Sequence, residues 1–359
     1  MKLIGPTAFG FLCVLAVSLS TVFPRLSEGV AWGIVREYAV TIHHQVEHIF
    51  DALRTMAQVS SRNSKLVSKA TVVRFQSYAR YSFLAYTPKN EIYSWNCTLC
   101  TQLSSVDTIS SKDTHVIIAK ENTIFSHQSV VIVSQTRKEI LISICGSKST
   151  GDWINNLDPI NFSIGALAED ALHFATSFLH RGHQAVNHTG EDSQVHSGFL
   201  NEWNMLKPQL MPLLRNLTSS AKYSKYAVTF TGHSLGGAIA LLGASEVVHE
   251  IPSLAHKTSV ITFGQPRVGN RGFRNHVLGL GLKEISHVVN NGDPVPYFTP
   301  KAWGFRHVEH EYWVVKGLMF RCDDNNPANE GEDTDCMNSV FAPVWSHLHY
   351  LGVNSTSLS

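Results

Sequence analysis

Strong net charge is the first thing this chain lacks. Its 359 residues carry 29 Lys and Arg against 28 Asp and Glu, a formal charge of +1 at pH 7. Such a balance excludes binding through a large field of one sign, so nucleic acid is not an expected partner. A Gly-rich phosphate loop, zinc-finger cysteine spacing and an internal repeat are also missing. Nucleotide chemistry, a structural zinc module and a solenoid are accordingly not expected. Cysteine is sparse, with six in all. The acidic stretch between Cys322 and Cys336 lacks the glycine position and ligand spacing of a calcium loop, and reads as solvated. No metal and no cofactor is expected.

What is present is enough for one large α/β domain, since 43% of the residues are hydrophobic and a chain of this length can bury a substantial core. The most informative stretch is Gly232-His233-Ser234-Leu235-Gly236. An apolar, β-prone run, Tyr226 to Thr231, precedes it, and a helical run, Ala238 to Val248, follows. Strand, G-x-S-x-G and helix in that order describe a nucleophile elbow, which exposes the serine hydroxyl on a strained turn. The helix N-terminus then aims its dipole and free N–H groups at the reacting centre.

A serine nucleophile needs an acid and a base, which follow it in the order acid, histidine. The apolar run Ile285 to Val289 leads into Asn290-Asn291-Gly292-Asp293-Pro294. Asp293 thus sits just past the carboxyl end of a strand, where sites form in open α/β sheets. A turn aspartate bonding its own backbone would look the same. The base lies later in the chain, among His307, His310, His347 and His349.

Several motifs in one order carry a resemblance. They are Phe75 to Tyr81, Gly146-Ser147 followed by Asp152-Trp153, and Val195 to Leu200. Thr231 to Ala238, Phe263 to Asn270, Asn290 to Pro296, Glu311-Tyr312-Trp313 and His347 to Tyr350 complete the set. Through about four fifths of its length the chain resembles secreted fungal-type class 3 lipases, a family of triacylglycerol lipases and feruloyl esterases. The resemblance implies an α/β-hydrolase fold, a mostly parallel central sheet flanked by helices, with a helical lid. It implies Ser234 as nucleophile, Asp293 as orienting acid and His347 as base, with His349 a bystander. The oxyanion hole would be the N–H groups of Leu235 and Ser147. One position departs from the family, which usually has Arg where Cys145 stands before Gly146. The plain reading of Cys145 is a buried, inert thiol.

The lid is expected around Trp153, Ile154 and Leu157, whose spacing gives a short helix one apolar face. In lipases of this type such a helix covers the serine in water and swings back at an oil surface. The expected function is a serine esterase acting on acyl esters of glycerolipids at an oil–water interface, in transient contact with the lipid surface. Feruloyl esterase and phospholipase A1 are the enzymatic alternatives. A lipid-binding protein that has lost catalysis is disfavoured, because every catalytic residue type is present.

Residues 1–20 read as a secretory signal, with Lys2, an apolar core from Ala8 to Val17 and small residues at Ser18 and Ser20. The apolar stretch from Ile4 to Phe23 also approaches the length of a membrane anchor. Five N-x-S/T sequons, at Asn96, Asn161, Asn187, Asn216 and Asn354, favour secretion. In an oxidising compartment Cys322 and Cys336 are expected to pair. Residues 21–70 form an N-terminal extension before a catalytic domain over 71–359. Within it Val35, Ala39, Ile42, Val46, Ile49, Leu53 and Met56 make a heptad stripe on one helix.

Overall fold

Runs of β-branched residues build the centre of the molecule. In this computed structural model the described residues are 65–107, 109–118, 128–146, 183–185, 193–299, 301–308, 310–322, 332, 336 and 344–354. They lie in the compact unit Asn63–Ser359, and a second unit, Met1–Arg62, falls outside them. The expected signal, the heptad stripe, Ser147 and the lid residues Trp153, Ile154 and Leu157 therefore lie outside the described residues.

Nine strands form one sheet: β1 (Lys65–Leu66), β2 (Thr114–Ile118), β3 (Gln128–Ser134), β4 (Glu139–Ile144), β5 (Ala227–His233), β6 (Thr258–Phe263), β7 (Glu284–Asn290), β8 (Glu311–Val315) and β9 (Leu318–Arg321). Their spatial order is β1-β9-β8-β7-β6-β5-β4-β3-β2. The five from β4 to β8 run parallel, and antiparallel strands close both edges. This is the mostly parallel sheet expected of an α/β-hydrolase. Parallel strands are covered on both faces, so they read as continuous apolar runs, and every residue of β4 and β6 is buried.

Alternate residues of each strand feed two cores. On one face Ile140, Ile142, Phe230 and Val260 pack with helices α2 (Ser197–Ser219) and α3 (Leu235–Glu250). On the other, Leu141, Ile261, Phe263 and Val288 pack with α1 (Lys69–Leu84). Helix α3 is apolar almost all round because it lies between the sheet and α2. Trp203 of α2 rests on Gly243 so closely that a Cβ there would sit 2.7 Å from its ring. That packing fixes α3, and with it the turn at its N-terminus. Among the described residues no helix is long and apolar enough to cross a membrane.

Candidate active site

Ser234 occupies the one-residue turn between β5 and α3, with φ 59° and ψ −132°. The turn is possible because of its neighbours. A Cβ on Gly232 would lie 2.3 Å from the carbonyl oxygen of Gly236, so only glycine lets strand and helix approach this closely. The Ser234 N–H donates to the carbonyl of Phe263 at 2.9 Å, tying the turn to β6. Leu235 begins the helix, so its N–H has no acceptor within it.

Asp293 follows β7 and is fully buried. Its Oδ1 accepts from the N–H of Val295 at 2.9 Å, and its Oδ2 from Nδ1 of His347 at 2.7 Å. The turn reading and the site reading of this residue are therefore both true, one for each carboxylate oxygen. Tyr350 donates its hydroxyl to the same Oδ2. Burial, then the Asp293 charge, push the pKa of that hydroxyl well above its ordinary value, so it keeps its proton and remains a donor.

His347 lies in the short 3-10 turn Val344–Leu348 and is buried. With Nδ1 facing a carboxylate, the proton sits there and Nε2 keeps its lone pair. That Nε2 is buried and has no hydrogen-bond partner among the described residues. Of the four candidate histidines, His347 is the one bonded to Asp293. His307 instead places Nε2 3.0 Å from the carbonyl of Pro296 and stacks on His287. His310 pairs with Arg321 at 3.2 Å. The carbonyl of His349 accepts from Asn290 at 2.7 Å.

Three features of the site escaped the sequence reading. Gly264, with φ 59°, holds the Asp293–His347 pair against the end of β6. A Cβ there would stand 2.8 Å from both Asp293 Oδ2 and His347 Nδ1. Its place in the Phe263 to Asn270 motif was the available signal. The second is Tyr350, three residues past His347. The third departs from the solvated reading of the acidic loop at one residue, Glu332. Glu332 is 1% exposed and grips Arg267 in a two-point ion pair, 2.8 Å at each end. Lys301 adds a third contact to it at 2.9 Å. Burial would raise the Glu332 pKa, but its bonds to Arg267 and the neighbouring positive charge hold it far below the usual carboxylate range. Arg267 also donates to the carbonyl of Tyr297 at 2.9 Å. Arg267 and His307 thus brace consecutive carbonyls of the turn that follows Asp293.

Cys322 and Cys336, which bracket that loop, are joined by a disulfide, as are Cys97 and Cys100. Cys145 is a buried free thiol.

A strained serine between strand and helix, and a carboxylate–histidine pair at the carboxyl edge of a mostly parallel sheet, define an α/β-hydrolase. Comparison with known proteins narrows this. Residues 141–303 match the family model Lipase (class 3). A lipase of Rhizomucor miehei is 30% identical over 271 residues, 73% of this chain and 63% of its own length. A secreted mono- and diacylglycerol lipase of Fusarium solani is 30% identical over 189 residues, 53% of this chain and 48% of its own length. The match thus spans less than two thirds of each of these two relatives. A solved triacylglycerol lipase, described as having a serine protease triad at its catalytic centre, superposes with a TM-score of 0.65. It is 26% identical and covers 83% of this chain and 100% of its own. The family model, the relatives and the solved structure all support the class 3 lipase family.

Proposed function

We propose that this protein is a secreted serine esterase that hydrolyses the acyl esters of glycerolipids, as a triacylglycerol lipase does. The observation that carries the reading is the 2.7 Å contact from His347 to Asp293, beside a serine held at φ 59°. Asp293 keeps His347 in the tautomer whose Nε2 can accept a proton. His347 takes the proton of the Ser234 hydroxyl as its oxygen attacks the ester carbonyl, then gives it to the departing alcohol. Water, deprotonated in turn by His347, attacks the acyl-enzyme and releases the acid, and His347 returns the proton to the departing Ser234 oxygen.

The tetrahedral oxyanion is bound by the N–H of Leu235 and by the N–H and hydroxyl of Ser147. Each such donor is worth about 3 kcal/mol in acyl transfer. Trp153, Ile154 and Leu157 form the apolar face of a lid that exchanges water for lipid at an interface. The relatives named above, one of them secreted, support both the substrate class and the localisation.

Hydrolysis of emulsified triacylglycerol, a soluble short-chain ester and methyl ferulate, each with wild type and Ser234→Ala, tests the reading. Ser234-dependent hydrolysis of the emulsion is expected. Activity confined to methyl ferulate would replace it with the feruloyl esterase alternative.

A further inference from the structure

A second histidine lies against the first. His233 ends β5, immediately before Ser234, and is 1% exposed. Its ring centroid is 4.4 Å from that of His347, with the planes tilted by 36°. Its Nε2 is 2.7 Å from the backbone carbonyl of His347, and its Nδ1 is 2.9 Å from the hydroxyl of Tyr86.

These contacts fix its protonation. A carbonyl only accepts, so Nε2 carries a hydrogen and donates it. Nδ1 is then either a bare acceptor for Tyr86 or a second N–H. Burial, and next the proximity of His347, push the pKa of His233 well below the usual histidine value. The ring is therefore neutral, and Tyr86 donates to it. Burial keeps the Tyr86 hydroxyl protonated as well, since it raises that pKa well above its ordinary value.

The same hydroxyl joins the third side of the site. It packs on Gly146 so tightly that a Cβ there would lie 2.3 Å from it. Gly146 directly precedes Ser147. The short 3-10 turn that carries His347 is held through carbonyls. Asn290, at the end of β7, donates to those of Ser346 and His349 at 3.1 and 2.7 Å, and His233 to that of His347.

We infer that His233, held neutral and oriented by Tyr86, is a positioning residue for ester hydrolysis: it sets where the base stands relative to the nucleophile beside it in sequence. This rests on the proposed roles of Ser234 and His347. An imidazolium at His347 forms in each transfer, and a neutral neighbour lets it form without repulsion. A misplacement of the base by about 1 Å costs on the order of a hundredfold in rate.

The test is steady-state kinetics on a soluble ester with His233→Phe, His233→Gln, His233→Asn and Tyr86→Phe, with folding followed by thermal melting. Gln extends its amide N–H where Nε2 stood, whereas Asn reaches only the Nδ1 position. The expected result is a kcat down about a hundredfold in His233→Phe with KM nearly unchanged. His233→Gln should recover at least about tenfold of it. His233→Asn should not, and Tyr86→Phe should fall between. If His233→Phe does not fold, Gln against Asn decides, and equal kcat in those two overturns the inference. So does a folded His233→Phe with wild-type kcat, while Ser234→Ala and His347→Ala are dead. Full activity in either of those two controls would instead sink the triad reading, and the inference with it.

Discussion

At the scale of single residues, the site concentrates strain and close approach on a few atoms. The backbone at Ser234 lies in a region that costs an ordinary residue on the order of 1–3 kcal/mol, and the packing of α3 keeps it there. Ser234→Ala and His347→Ala should each lower ester hydrolysis by roughly 10^4-fold or more with the fold intact, because members of the proposed triad would act as a unit. His349→Ala should cost far less, and an equal loss with an intact fold would reassign the base. Gly264→Ala should cut kcat by about a hundredfold, since its methyl must displace the Asp293–His347 pair. Unchanged kinetics in that variant would show that the pair yields without cost. Sequence alone led to Ser234, because a strand, two glycines and a helix sit on either side of it. Asp293 was legible for the same local reason, as the first acid after a strand. The base was not. What singles out His347 is a bond across 54 positions, and nothing in its own neighbourhood distinguishes it from His349. Tyr350 and His233 were hidden for the same cause.

At the scale of elements, the strands were readable wherever both faces are covered. β4 to β7 are near-continuous apolar runs, and they order the site along their carboxyl ends. Glu332 misleads because its charge suggests water. Glu332 is buried against Arg267, and it lies in sequence between the bridged Cys322 and Cys336. Replacing one partner of a buried pair leaves the other charge uncompensated, at a cost of about 3–5 kcal/mol. Glu332→Gln should therefore lower the melting temperature by many degrees. It should also lower kcat more than it raises KM, because Arg267 and His307 hold the carbonyls beyond Asp293. A melting temperature within a degree of wild type would show that the pair adds nothing to stability. If only stability fell, the brace would belong to the fold rather than to the site.

At the scale of the whole molecule, the sum of buried titratable groups sets how folding responds to acid. Stability rises with pH, and is lost as pH drops, wherever the unfolded chain binds more protons than the folded one. His233 and His307 are both buried, and burial first, then a neighbouring histidine, hold each pKa well below the usual 6.5. Half-buried His276, beside His249, is lowered in the same sense. In the unfolded chain all three take up protons as pH drops through 6.5, while in the folded chain they resist. Their contribution is complete above that value and is lost below it, down to each folded pKa. Glu332 also contributes most at high pH, but it is lost later. Its carboxylate is held below the ordinary 4.5, so the unfolded chain gains the extra proton only near and beneath that value. Between about pH 6.5 and 4.5 the histidines therefore outweigh this carboxylate in setting the slope. The melting temperature should fall steadily from pH 7.5 to 5. His307→Gln, which keeps a donor near the carbonyl of Pro296 and cannot take up a proton, should fall less steeply over the same range. Thermal melting of both proteins in a buffer series checks this, and parallel curves would remove His307 from the acid response.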